Sequence, residues 1–245
     1  MSPRKHTRNA PGLLEAVKEA AWRQISAEGA AALSLRAIAR GLGITAPAIY
    51  NYFHRRDDLV TALVVDAYRG FADSQATAVA ARRADDHAGR LRALGVAYRA
   101  WATANPERYQ LMFSAPYPGY VLPVAAVGAV AGRALSILIG ALEAARKDGV
   151  LRPHPSSQRG TVGKVPGLSA EVFAERYGST DPTVLLAAVR VWARVHGLVA
   201  IELSRQYPPY LVDPDRLYRE ELEALVNDFI AEPPARGTAT RRSRT

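Results

Sequence analysis

Apolar residues along the chain recur mostly three and four positions apart, beginning with Val17, Ala20, Ala21, Trp22 and Ile25. That spacing lays one apolar stripe along an α-helix. A second set, Leu35, Ile38, Ala39 and Leu42, predicts a shorter helix. Ser34 precedes it with a hydroxyl able to accept from the unpaired N–H groups of the first turn, and Gly41 and Gly43 bracket its end, where positive φ is cheap only for glycine. Ile44 turns back to the core, Thr45 is placed to cap a third helix, and Pro47 sits in that helix's first turn, where a missing N–H costs nothing. Ile49 and Phe53, four apart, aim it inward and leave Thr45, Ala46, Ala48, Tyr50, Asn51 and Tyr52 facing out. The pattern is a helix-turn-helix completed by the first helix and ending near Phe53. Its last helix starts with small residues and carries hydrogen-bonding groups further on, as a major-groove reader requires.

Beyond it the helical period continues. Asp57 and Asp58 open a longer helix running through Leu59, Leu63, Asp66 and Tyr68 towards Ala84, with Gly70 as a weak point. Helices follow from His87 to Thr103, from Asn105-Pro106 to near Phe113, and from Val121 to Lys147, closed by Asp148-Gly149. Between Arg152 and Thr180 the composition shifts to Pro, Ser and Gly, which predicts a mobile connection with a short helix at Ser169 to Arg176. Asp181-Pro182 and Asp213-Pro214 each start a helix with a continuous stripe. The first stripe is Leu185, Ala188, Trp192, Val195 and Val199, and the second is Tyr218, Leu222, Leu225 and Phe229. Two late helices of this kind are suited to pairing with their copies from a second subunit. No strand pattern appears, so the expected class is all-α.

Charge divides the chain as the pattern does. Residues 1–56 carry nine Lys/Arg against three Glu, and 236–245 carry four Arg and no acid, whereas 57–235 hold 19 basic and 20 acidic residues. A basic end on a near-neutral body is the footprint of one module that meets phosphate. Four segments are expected: a basic flexible arm at 1–12 with Arg4, Lys5, His6 and Arg8, a helix-turn-helix domain at 13–56, a larger helical domain at 57–231, and a disordered basic tail at 232–245.

Candidate chemistry is sparse. There are no cysteines, which excludes disulfides and thiolate metal sites, and the N-terminus has no signal-peptide core, so a cytoplasmic location is expected. Val121 to Leu142 is 22 residues with one charge, but Arg133 near its middle would cost about 2.5 to 3.5 kcal/mol in lipid, and the stretch reads instead as a buried helix. The five histidines, at 6, 54, 87, 154 and 196, show no metal spacing, and no Gly-x-Ser-x-Gly elbow occurs. Gly160 to Val165 superficially resembles a phosphate loop, but Val165 replaces the Ser/Thr that would hold magnesium. No catalytic residue, metal or cofactor is expected.

The blocks Val17 to Gly29, LSLRAIARGLGIT and APAIYNYFHRRDDL, with Tyr50-Asn51-Tyr52-Phe53 followed by a basic residue and an acidic pair, resemble the TetR family of transcriptional regulators in order and spacing. Asn105 to Phe113 and Trp192 to Leu203 are similar to the ligand-domain subgroup named for a Trp-His-Gly signature, although Ala193 to Val195 separate the tryptophan from His196. The resemblance implies that the larger domain binds a small-molecule effector and dimerises through the last two helices.

Thr45, Ala46, Pro47 and Asn51 are expected at base edges, with capping an equal alternative for Thr45. Tyr50, Tyr52 and Arg56, the last in the family's basic position, are expected at phosphates, and Ser34 and Arg36 at backbone or base. Tyr98, Trp101, Tyr109, Met112, Phe113, Tyr117, Trp192 and His196 are candidates to line an effector pocket, each against the plainer reading of a core aromatic or structural histidine. The function expected is a dimeric, ligand-responsive regulator, a repressor, binding double-stranded DNA at a palindromic operator. The alternative is an architectural DNA-binding protein with little sequence preference. An enzyme carrying a DNA-binding fusion lacks an acid, base or nucleophile constellation.

Overall fold

The computed structural model describes residues 10–152 and 170–231. These form ten α-helices: α1 (Ala10–Glu28), α2 (Leu35–Gly41), α3 (Ala46–Tyr50), α4 (Arg56–Ala80), α5 (His87–Ala104), α6 (Pro106–Phe113), α7 (Val124–Lys147), α8 (Ala170–Tyr177), α9 (Pro182–Leu203) and α10 (Pro214–Phe229). A single 3-10 turn, Ala30–Ala32, joins α1 to α2, and the one pairing of extended chain among the described residues is the bridge between Leu151 and Ile230. The fold is all-α, as the periodicity predicts. The expected tail at 232–245, the loop-like Gly160 to Val165 and most of the Arg152 to Thr180 connection lie outside the described residues.

Several helix ends follow the caps written in the sequence, although the side chains of Thr45 and Asn105 make no capping bond and the Asn105 amide donates instead to the Trp101 carbonyl at 3.0 Å. Asp181 Oδ1 accepts from the N–H groups of Thr183 (2.8 Å) and Val184 (3.3 Å), and Asp213 Oδ1 accepts from that of Arg216 (2.8 Å). Gly149, at φ +72°, closes α7 and lets the Val150 N–H return to the Ala145 carbonyl at 2.9 Å. Several boundaries differ from expectation, among them the end of α4, which stops at Ala80 rather than Ala84. Residues 10–12 belong to α1 rather than to the arm, since Pro11 fits a helix's first turn. Gly41 is helical and only Gly43, at φ +65°, takes the left-handed turn. Pro123 delays α7 to Val124, because the residue before a proline is pushed out of the helical region.

The chain forms two compact units, one from Met1–Thr77 with Ala97–Leu135 and the other from Ala78–Val96 with Ser136–Thr245. The expected boundary at 56/57 falls inside the first unit. Its core explains why: Val17, Ala21 and Ile25 of α1, Leu35 and Ile38 of α2, Ile49 of α3 and Phe53 pack with Leu59, Val60, Leu63 and Val64 of α4, and also with Leu111, Tyr117 and Val127. The three-helix head is thus closed by residues far beyond it in sequence. Lys18 of α1 pairs with Asp66 of α4 at 2.7 Å, and this carboxylate holds the ammonium above its ordinary pKa despite the opposing effect of burial, the largest influence on it.

In the second unit, Tyr218, Leu222, Leu225 and Phe229 of α10 are all buried, as their stripe predicts. Gly95 of α5 lies so close to α10 that a Cβ there would meet Leu222 Cδ1 at 2.4 Å, and the Tyr218 hydroxyl donates to the Gly95 carbonyl at 2.6 Å. Arg194 of α9 bridges Glu221 (3.0 Å) and Asp228 (2.7 Å) of α10. Buried Glu143 of α7 accepts from Arg146 and from Ser179 Oγ (3.0 Å), whose oxygen in turn receives the Asp181 N–H. The Arg146 contact, foremost, holds this carboxyl below its usual range.

Candidate nucleic-acid interface

The Ser34 hydroxyl caps α2, accepting from the Ala37 N–H at 3.3 Å. A second clamp acts on the same segment from α1: Gln24 Nε2 donates to the Ala32 carbonyl (3.3 Å) and its Oε1 accepts from the Ser34 N–H (3.1 Å). At the other end of α2, the left-handed Gly43 lets the Ile44 N–H reach the Ala39 carbonyl at 3.0 Å, which folds the turn tightly and sends α3 across α2. Both helices face the core through Leu35, Ile38, Ala39 and Ile49.

The opposite face is open. Thr45, Pro47 and Asn51 are exposed, and Ala46 is half-buried. Thr45 has the extended backbone of an N-cap, yet its hydroxyl makes no capping bond. Tyr50 and Tyr52 are half-buried, with their rings against the head's core. The α3 helix ends at Tyr50, so Asn51 and Tyr52 occupy the turn that follows it rather than a continuing helix. Arg36 is exposed early in α2, and Arg40 is exposed in its last turn. The arrangement puts small and amide-bearing side chains at the tip and cations around it, which is the geometry of a base-reading helix flanked by phosphate contacts.

One expected phosphate contact is placed otherwise. The Arg56 guanidinium is turned inward, donating through Nη1 to the Ala31 carbonyl at 3.0 Å and lying 3.6 Å over the Tyr117 ring. Leaving those partners for a phosphate would strip both. The neighbouring Arg55 is the outward cation, with 78% of its side chain exposed. Sequence adjacency alone could not rank the two, because the start of α4 fixes which arginine turns in. Nor does the sequence mark Gln24, because nothing in a polar residue of an amphipathic helix announces a clamp.

The eight pocket candidates fall in both units. In the first unit Tyr98, Trp101, Tyr109, Met112 and Phe113 gather with Tyr68 and Phe71. Phe71 meets Tyr98 edge-on at 4.9 Å and Trp101 at 5.3 Å, and Tyr109 meets Phe113 at 4.8 Å. Trp101 also lies against Gly70, where an added Cβ would sit in ordinary van der Waals contact, 3.6 Å from the indole Nε1. Burial pushes the Tyr109 hydroxyl up to about 12, so it stays neutral across the physiological range. Tyr117 stands apart, beneath Arg56 and donating to Asp57 Oδ1 at 2.6 Å. Trp192 and His196 belong to the second unit, their rings 5.2 Å apart on α9. Trp192 is 39% exposed and not in the buried stripe that its spacing suggests.

Residues 18–63 match the family described as bacterial regulatory proteins, tetR family, and residues 91–225 match the tetracyclin repressor-like C-terminal domain, which is more than half of the chain. HTH-type transcriptional regulator Rv1816 of Mycobacterium tuberculosis is 34% identical over 218 residues, 86% of this chain and 89% of that protein. The chain belongs to the TetR family. A crystal structure described as a regulatory protein, SCO4313, is 34% identical with a TM-score of 0.67 and covers 91% of this chain and 98% of that one. FadR from Bacillus subtilis, solved in complex with stearoyl-CoA, shares the fold at a TM-score of 0.60 and 16% identity, over 87% of this chain and 98% of its own. TetR-family proteins are transcriptional regulators with a DNA-binding helix-turn-helix, and none of this similarity points to an enzyme. The C-terminal match is to the broad tetracyclin repressor-like domain and does not name the Trp-His-Gly subgroup. Among the described residues no group of His, Asp or Glu is arranged to hold a metal. Helices α7 and α9 are long and apolar enough to cross a membrane by length and composition alone. The expectation that α7 is buried holds only in part, since residues 121–126 are all exposed. Apolar composition sets what a helix can bury, not whether its own chain supplies the cover.

Proposed function

We propose that this TetR-family regulator is a dimeric, cytoplasmic repressor whose two heads read a palindromic operator and release it when a small molecule binds. The observation that carries the reading is the head itself: exposed Thr45 and Pro47 at the start of α3 and exposed Asn51 just after its end, on a helix seated on buried Ile49, with Arg36, Arg40 and Arg55 exposed nearby. Ala46 completes the base-reading set; Ser34, Tyr50, Tyr52 and Arg55 hold register on the backbone. Dimerisation is supported by α9, where Val189 (51% exposed), Trp192 (39%) and exposed Ala193 line one flank. Pairing α9 and α10 with their copies would bury that flank and set the heads at a half-site separation of about 34 to 36 Å. An effector then acts by binding better to a dimer of different head spacing, which shifts the population away from the DNA-competent state. The aromatic cluster of Tyr98, Trp101, Tyr109, Met112 and Phe113 is the place proposed for it.

Selection of bound fragments from randomised duplex DNA tests the reading. A palindrome with two half-sites about one helical turn apart is expected. Equal affinity for selected and random duplexes would instead favour the architectural alternative and sink the operator.

A further inference from the structure

We infer that Tyr117 and Arg56 form a latch that positions the start of the helix-turn-helix, which makes Tyr117, between α6 and α7, a positioning residue for DNA binding. The inference rests on the head being the DNA-binding module. The Tyr117 ring is buried, at 7% exposure, and carries the Arg56 guanidinium 3.6 Å above its centroid. Its hydroxyl donates to Asp57 Oδ1 at 2.6 Å, which fixes the ring to the first turn of α4. The same guanidinium donates to the Ala31 carbonyl at 3.0 Å. Ala31 lies in the 3-10 turn just before Ser34, the residue that caps α2.

Two side chains therefore hold the Ala31 to Ser34 segment: Gln24 from α1 and Arg56 from α4. That segment sets the direction in which α2 leaves, and α3 packs directly on α2. A guanidinium stacked on an aromatic face keeps its planar donors aimed, and an ammonium reproduces neither the planar fork nor the stacking. Tyr120 braces the same connection, its hydroxyl 3.0 Å from Thr61 Oγ1 of α4. Without the latch the head samples more orientations, and apparent affinity falls with the fraction that remains competent.

A phosphate contact and a latch differ in salt dependence. Removing a phosphate-bound arginine lowers the slope of log K against log salt by about 0.9, whereas a smaller competent fraction shifts the line without tilting it. The probe is a duplex selected by the wild-type protein from randomised DNA. Arg56→Gln and Tyr117→Leu are each expected to weaken binding about tenfold with the slope unchanged. Arg56→Lys should lose as much as Arg56→Gln although it keeps the charge, and Tyr117→Phe, which keeps the ring, should lose less than Tyr117→Leu. Without DNA, the Ala37 and Ile38 amides, bonded to the Ser34 hydroxyl and carbonyl, should exchange faster in Arg56→Gln. This measurement fails only if the latch is wrong, so it separates the latch from the operator reading. A slope reduced by about one in Arg56→Gln, or unchanged exchange at Ala37 and Ile38, would overturn the proposal. Should Tyr117→Leu not fold, the two Arg56 variants decide.

Discussion

Replacing Gly95 by alanine probes how closely α5 and α10 approach. A Cβ at this position would lie 2.4 Å from Leu222 Cδ1, 3.0 Å from Cδ2 and 3.3 Å from Cγ, far inside van der Waals contact. Leu222 is 4% exposed, so its side chain has little room to rotate away. Overpacking of this kind costs about 1 to 3 kcal/mol. Moving the helices apart also stretches the 2.6 Å bond from the Tyr218 hydroxyl to the Gly95 carbonyl, whose loss costs ~1 kcal/mol. Against both stands the helix preference of alanine over glycine, about 0.5 to 1 kcal/mol. The net destabilisation expected is about 2 kcal/mol, a fall in Tm of roughly 4 to 8 °C for a chain of this size. Thermal unfolding followed by circular dichroism measures it. Gly140→Ala is the matched control, since a Cβ there meets nothing within 4 Å and the same substitution should stabilise by about 0.5 to 1 kcal/mol. Combining Gly95→Ala with Leu222→Ala should cost less than the sum of the two alone, because the new methyl fills part of the vacated space. A Gly95→Ala protein as stable as the wild type would refute the close approach, and additive effects in the double variant would refute Leu222 as its cause.

Three other outcomes are expected. Asn51→Ala should change base preference at one position per half-site, a discrimination of about 1 to 3 kcal/mol, and unchanged preference in a selection experiment would remove Asn51 from the reading set. Arg55→Gln should weaken binding to all duplexes alike and lower the salt slope by about 0.9, in contrast to Arg56→Gln; equal slopes for Arg55→Gln and wild type would return that cation to the solvent. Burial holds the His196 imidazole below its ordinary pKa of 6.5, so between its folded pKa and 6.5 the unfolded chain binds more protons. Its contribution to stability is then complete above about 6.5 and lost as pH falls. The drop in Tm from pH 7.5 to 5.5 should accordingly be larger in the wild type than in His196→Gln, and equal drops would exclude the effect.

Local chemistry determined much of this protein before any contact was known. The three-and-four spacing located the helices, Asp181 and Asp213 marked two starts that their carboxylates do cap, and Ile49 with Phe53 told the inner face of the reading helix from the outer. These features depend on residues within a turn or two of one another, so a single sequence displays them. The family blocks and the basic N-terminal quarter likewise placed the DNA-binding head. Only the tertiary structure decided the rest. That Arg56 turns inward and Arg55 outward depends on Tyr117, some sixty positions away, coming to lie beneath one guanidinium. The head's core is closed by Leu111, Tyr117 and Val127, so the unit is larger than its three helices suggest. Trp192 shares the spacing of a buried stripe yet stands exposed, and the first residues of the apolar α7 segment lie open. Periodicity says which side of a helix is apolar; what covers that side is set by long-range packing, whose partners are not neighbours in the sequence.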